Sequence, residues 1–179
     1  MRGLYLGGEE LRVSISPSLR LRMPIEEDAS KMWELARNTP DLDLNSLYHY
    51  LMLATHFRHT CVVAEIQQEF AGFASGVILP RDPTTLFIWQ IAVNSSLRAK
   101  GLGTQMLEEL LGRSYSTPVK YLSATITPSN HASWHLFRKM AHRHGTSIQT
   151  TGKLERHWFG PTNHDEELIV KIGPFRSMP

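Results

Sequence analysis

Two cations and two glycines crowd into the run Arg98-Ala99-Lys100-Gly101-Leu102-Gly103. An apolar stretch at 86–93 precedes it and reads as a buried strand. Leu102, Met106 and Leu110 follow at the spacing of one helix face. The run therefore falls where a strand hands over to a helix. Such a corner turns backbone N–H groups outward at the positive end of the helix dipole, a setting that binds phosphate. Glycine lets a ligand approach the main chain, and Arg98 and Lys100 add charge. The simpler alternative for so short a pattern is a plain strand-to-helix turn with solvated basic residues.

The elements that must position this corner can be read from periodicity. Residues 19–23 alternate as a strand, and Pro24 ends them. Ala29, Met32, Trp33 and Ala36 keep helical spacing until 38–41 break it. A second helix is expected from about Asp43, with Leu44, Leu47, Tyr48 and Leu51 on its apolar face. Strands at 60–66 and 70–79 flank the polar turn Gln67-Gln68-Glu69 and form an expected hairpin. Residues 81–85 read as a loop before the strand at 86–93. After the corner and its helix come a strand at 121–126, the break Pro128-Ser129-Asn130, and a helix with Ser133, Leu136, Phe137 and Met140 in register. Strands at 147–154 and 168–172 close the chain. This order predicts an α/β fold, a mixed sheet with helices packed on it.

At 179 residues and 41% hydrophobic content, one globular domain is expected, at 19–179, behind a loose extension at 1–18. A formal charge of +2 with dispersed basic residues argues against a nucleic-acid partner. No apolar run has signal-peptide or membrane-spanning length, so a cytoplasmic protein without a membrane partner is expected. The nine histidines are scattered, His142-Arg143-His144 and His56/His59 lack the cysteine or carboxylate company of a zinc site, and no metal is expected. The single cysteine, Cys61, rules out an internal disulfide and sits in a strand pattern, where it reads as a small buried hydrophobe.

The spacing Arg98-x-x-Gly101-x-Gly103 resembles the coenzyme A pyrophosphate loop of the GNAT acetyltransferase family, Gln/Arg-x-x-Gly-x-Gly/Ala. The segment from Asn130 to Phe137 resembles a second family pattern, Asn-x-x-Ala-x-x-Leu-Tyr. The resemblance implies a mostly antiparallel central sheet and acetyl-CoA as co-substrate. It implies cofactor contacts from Ile91, Ala92, Val93, Arg98, Ala99, Lys100, Gly101, Leu102, Gly103, Thr104, Asn130, Ser133 and Phe137. Asn130 or Ser129 also suits a helix N-cap, which is compatible with ligand contact. Phe137 departs from the pattern: it has no proton for a leaving thiolate, where many relatives carry tyrosine.

Four further segments resemble the diaminobutyrate acetyltransferases, a branch of that family. They are 42–50, 87–93, 125–130, and Phe159-Gly160 with His164 and Glu167. That resemblance implies acetyl transfer to the γ-amine of L-2,4-diaminobutyrate in ectoine synthesis, by a homodimer. A ligand with two ammonium groups and a carboxylate wants anions or aromatic faces, and donors. Asp43, Glu167 and Trp89 offer the first kind; Asn45, Tyr48 and His164 the second. Each has a plainer alternative: a helix cap for Asp43, core filling for Trp89, packing for Tyr48, a solvated turn for His164 and Glu167. Catalysis is expected by direct attack in a ternary complex, with Glu167 or Asp43 as base and the other on the α-ammonium. Another amine substrate, or a non-catalytic acyl-CoA binder, is the alternative.

Overall fold

The computed structural model describes residues 18–40, 42–98, 100–161 and 164–175, so the expected extension lies outside the described residues except at Ser18. The chain forms β1 (Leu19–Arg22), α1 (Asp28–Arg37), α2 (Leu47–Thr55), β2 (Cys61–Ile66), β3 (Glu69–Leu79) and β4 (Asp82–Val93). Next come α3 (Leu102–Leu111), β5 (Tyr121–Ile126), α4 (His131–Arg143), β6 (Ser147–Leu154) and β7 (Glu167–Gly173). This is the element order that the periodicity predicts. The strands make one sheet in the order β1-β2-β3-β4-β5-β7-β6, in which β4 and β5 run parallel and the other neighbours antiparallel.

Helices cover both faces. α1 and α2 bury Met32, Ala36, Tyr50 and Leu53 against Cys61, Val63, Phe73 and Ala92. α3 and α4 bury Met106, Leu110, Phe137 and Met140 against Val62, Leu86, Leu122 and Val170. The β2–β3 hairpin turns through Gln67 and Gln68, both at positive φ (53° and 68°), the twist a two-residue hairpin needs.

The central strand β4 is irregular in two ways. Ser75 of β3 pairs with Gln90 while Gly76 pairs with Ile88, so Trp89 is an extra, bulged residue. The bulge reverses the alternation. Leu86 and Ile88 face α3 and α4, whereas Ala92 faces α1 and α2. Second, β4 pairs with β5 only at Thr85–Phe87 opposite Tyr121–Ser123, and beyond Phe87 the two strands part. The joined end is pinned by Asp82. Its carboxylate accepts from Lys171 Nζ (2.8 Å) and from the Thr84 and Thr85 hydroxyls (2.6 Å each), while Lys171 Nζ lies 4.1 Å from the Tyr121 ring centroid. The Lys171 hydrogen bond, then those of the threonines, hold the Asp82 carboxyl well below its usual range.

Two expectations need correction. Residues 82–85 are strand, since Leu79 pairs with Asp82 across a tight turn, so the polar loop shrinks to Pro80 and Arg81. α2 starts at Leu47, with Ser46 as its cap (Oγ accepts from His49 N–H, 3.3 Å), and Asp43 lies before it in extended chain. Its buried stripe is Tyr50, Leu53 and Ala54, whereas Leu44, Leu47, Tyr48 and Leu51 are exposed. The helix is apolar on nearly every side, so spacing alone cannot say which stripe meets the sheet.

The edge of the sheet is locked to α1 by Arg22. Its guanidinium donates twice to Asp28 (2.6 and 2.9 Å) and twice to Glu65 Oε1 (2.9 and 2.6 Å), and Asp28 also accepts from Ile25 N–H. Burial alone would raise the Asp28 pKa, but the Arg22 hydrogen bonds outweigh it and the carboxyl stays below its ordinary value. Asp28→Ala leaves part of a buried guanidinium unpaired and should cost about 3 kcal/mol in urea unfolding.

Candidate active site

Where β4 and β5 part, a cavity of about 470 Å³ opens between residues 87–91 of one strand and 124–127 of the next. The 43–45 loop roofs one side, and Phe159, His164 and Glu167 close another. The bulge turns Trp89 into this space, where its ring is 49% exposed and lies 5.1 Å from the His49 ring. Along this edge β4 has no strand partner among the described residues, so alternate main-chain N–H groups of 88–93 are left to face a ligand.

Three side chains concentrate charge in the cavity. His164 Nε2 lies 2.9 Å from Asp43 Oδ2 and 3.5 Å from Glu167 Oε1, and its Nδ1 lies 2.6 Å from the Asp165 carbonyl oxygen. Both ring nitrogens face acceptors, a setting that favours the protonated ring. Burial opposes that charge. The Asp165 carbonyl, the Asp43 carboxylate and the charge of Glu167 together outweigh it and raise the His164 pKa above its ordinary value. Phe159 stacks on the imidazole at 3.9 Å between centroids, with 14° between planes. Asp43, His164 and Glu167 offer atoms within 4.8 Å of one another, residue types that also bind metals. Two carboxylates on one wall of the cavity make it a place that suits an ammonium ligand.

A second cavity, of about 300 Å³, lies beyond Ile91 between the end of β4, the start of α3 and one face of α4. Gly101 precedes α3 at φ 80°, a left-handed conformation that disfavours side chains, and a Cβ there would touch nothing within 4 Å. The glycine therefore serves the bend. A Cβ at Gly103 would sit 3.4 Å from Leu136 and 3.6 Å from Ile91, ordinary van der Waals contact, so packing against α4 and β4 does not itself demand glycine there. The first N–H groups of α3 lack carbonyl partners within the helix. Arg98 folds back to donate to the Val93 carbonyl (3.3 Å) while lining the cavity. Leu42, Ile91, Asn130 and Ser133 line both cavities, so the two abut.

The expected site residues divide between the two cavities. Asp43, Asn45, Trp89, His164, Glu167 and Phe137 line the first. Ala92, Val93, Arg98, Gly101, Leu102, Gly103 and Thr104 line the second, and Ile91, Asn130 and Ser133 both. Asn130 caps α4, its Oδ1 accepting from Ser133 N–H at 2.9 Å, and keeps its amide N–H₂ for other partners. Lys100 is exposed and off the cavity wall, and Ala99 lies outside the described residues. Tyr48 stands apart: it is 69% exposed on the outer stripe of α2 and lines neither cavity, because the helix phase is set by Tyr50 and Leu53. Phe137 is buried in the core with one face on the cavity.

Sequence reasoning missed Lys139, a cation on the second cavity, although it follows His135 by one helical turn on the face that Ser133 and Leu136 share. It also missed the ring of Phe159 and the side chain of Gln90. Cys61 is fully buried on the α1/α2 face, and burial pushes its thiol up to about 11. It is inert packing, as expected.

Comparison with known proteins agrees with this geometry. The sequence model of the Acetyltransferase (GNAT) family matches residues 23–142. The L-2,4-diaminobutyric acid acetyltransferase of Marinococcus halophilus is 44% identical over 152 residues, 85% of this chain and 88% of that protein. Its counterpart in Shouchella clausii is 41% identical over 162 residues, 90% of each. Among solved structures, the diaminobutyrate acetyltransferase of Paenibacillus lautus, in complex with its substrate L-2,4-diaminobutyric acid and coenzyme A, superposes with a TM-score of 0.85 at 36% identity, covering 91% of this chain and 99% of that one. With a glycine-bent helix start, a parted strand pair and kinship of this extent, the chain belongs to the GNAT acetyltransferase family and, within it, to the diaminobutyrate acetyltransferases.

Proposed function

We propose that the protein transfers the acetyl group of acetyl-CoA to the γ-amine of L-2,4-diaminobutyrate, releasing CoA and N-γ-acetyl-2,4-diaminobutyrate. The observation that carries this reading is the common wall of the two cavities. A thioester seated at the start of α3 and a diamine seated in the cavity that Asp43 and Glu167 line meet at Ile91, Asn130 and Ser133. Direct transfer results, with donor and acceptor held side by side.

The attacking amine must first lose a proton. With a pKa of about 10.4, roughly one molecule in a few thousand is neutral at pH 7, a cost of about 4–5 kcal/mol. Glu167 takes that proton in this scheme, and Asp43 holds the α-ammonium. The Glu167 side chain is 17% exposed against 72% for Asp43, so the deeper carboxylate stands nearer the dry interior and the outer one guards the entrance. The amine nitrogen bonds to the thioester carbon, and the carbonyl oxygen gains charge against the N–H groups at the unpaired edge of β4. The C–S bond then breaks. A thiol of pKa about 8.5 leaves readily as thiolate, and the Ser133 hydroxyl on the common wall offers it a hydrogen bond.

Kinship to the diaminobutyrate enzymes supports a place in ectoine biosynthesis, and the use of acetyl-CoA supports a cytoplasmic setting. Among the described residues no helix is long and apolar enough to cross a membrane. The exposed stripe of Leu44, Leu47, Tyr48 and Leu51 supports a homodimer, because two copies of one apolar helix face can bury each other about a two-fold axis.

NMR identification of the product of protein, acetyl-CoA and diaminobutyrate tests the reading, and a product acetylated elsewhere or none at all overturns it. In the same assay Glu167→Gln should lower kcat by about 100-fold or more with KM little changed, whereas Asp43→Asn should mainly raise KM. If both keep normal turnover, neither carboxylate takes the proton. The His164 charge has its own signature. Because folding raises its pKa, the attraction to Asp43 and Glu167 contributes fully below the unfolded value of about 6.5 and fades as pH rises through the folded value. The Tm deficit of His164→Asn in the substrate-free protein should accordingly be largest below about pH 6.5 and shrink at higher pH. Leu47→Glu should convert the dimer to monomer in light scattering. An unchanged mass would place the interface elsewhere.

A further inference from the structure

Gln90 is a polar side chain in the middle of an apolar strand, and it is 5% exposed. The bulge at Trp89 points it away from α3 and α4 and toward the helices of the other face. There it makes two hydrogen bonds. Its Oε1 accepts from the Tyr50 hydroxyl at 2.9 Å, and its Nε2 donates to the Asp43 carbonyl oxygen at 2.6 Å. Tyr50 is fully buried. The ring is held edge-on by Phe73 (6.1 Å, 89°) and His49 (5.4 Å, 85°). Gln90 thus ties the main chain of Asp43, in an otherwise irregular loop, to the central strand, and Tyr50 holds the other end of the same amide.

That tie bears on the chemistry. The Asp43 carboxylate is largely exposed, and its side chain alone would sample many positions. It nevertheless faces His164 at 2.9 Å. Its main chain is what Gln90 fixes. Trp89, the adjacent residue on β4, forms the opposite wall and leans on His49, one residue before Tyr50. The same stretch of strand and the same helix turn therefore set both the anion and the aromatic wall of the first cavity. A buried amide or hydroxyl deprived of its partner is costly, so the network holds together or fails as a unit.

We infer that Gln90 and Tyr50 are positioning residues, which fix Asp43 as the ammonium-binding anion and so set affinity for the amine substrate through Asp43. The inference rests on the proposed role of Asp43 but makes a claim of its own about the empty protein. Tyr50→Phe removes one hydroxyl, and Gln90→Met replaces the amide by an apolar chain of similar length.

Two measurements test it on the full-length protein. The first needs no substrate: the His164 ring is titrated by NMR in the free protein. Asp43→Asn, Tyr50→Phe and Gln90→Met should each lower its pKa toward the ordinary value, by about 0.5 pH units or more, because the partnering carboxylate is removed or released. Tyr50→Phe added to Asp43→Asn should lower it no further. The second is kinetic. Tyr50→Phe and Gln90→Met should raise KM for diaminobutyrate about tenfold while KM for acetyl-CoA stays within twofold. An unchanged His164 titration in both variants overturns the inference, as does an additive effect on top of Asp43→Asn. A parallel loss of CoA binding would likewise show general collapse rather than positioning. Should the wild type fail to acetylate diaminobutyrate, the functional reading falls while the titration still decides the tether.

Discussion

Beyond Phe87 and Ser123, β4 and β5 stop sharing hydrogen bonds, and the functional geometry of the fold is built around that gap. A parallel pair that stayed zipped would fill the space with ladder and leave nowhere for a ligand between the strands. The gap requires a means of turning β4 aside, which the extra residue Trp89 supplies, and a means of keeping the other end shut, which Asp82, Lys171 and the two threonines supply. Both cavities lie along the stretch of β4 that this leaves open.

The elements that hold the gap in place are largely legible in sequence. Alternation and helical spacing fix the order of all eleven elements, and the glycine corner stands where the strand-to-helix reading puts it. What periodicity hides is phase. The run at 86–93 is apolar but for Gln90, so no alternation in it announces that Trp89 is surplus and that Gln90 thereby faces the opposite layer from Ile88. α2 hides its phase for the same reason. Its outer stripe of Leu47, Tyr48 and Leu51 is as hydrophobic as its inner one, so spacing alone cannot place Tyr48.

The site residues are legible where chemistry is local and obscure where it depends on long-range contact. Gly101 and Gly103 stand in one short segment and can be paired by eye. Asp43 and His164 are 121 residues apart and meet only because β7 docks on β5 while the 43–45 loop is tied to β4. Resemblance to relatives singles them out, but nothing in spacing could give their 2.9 Å contact or the acceptors that face both nitrogens of the histidine. Gln90 is the clearer lesson. A lone glutamine in an apolar strand is a signal, since a buried amide needs partners, yet its partners are a tyrosine on one helix and a carbonyl in a loop.

Because the zipped end of β4 is pinned and the other end is free, the strand works as a ruler. Counting from Phe87 toward Val93, residues 87–91 line the first chamber and residues 91–93 the second. Nearest the pin stands the chamber roofed by the 43–45 loop. Next comes Ile91, common to both chambers, and farthest out is the bend that leads to α3. Sequence position along seven residues is thereby converted into an order of arrival points in space. Inserting or deleting a single residue there would slide one chamber past the other, whatever it did to the side chains themselves.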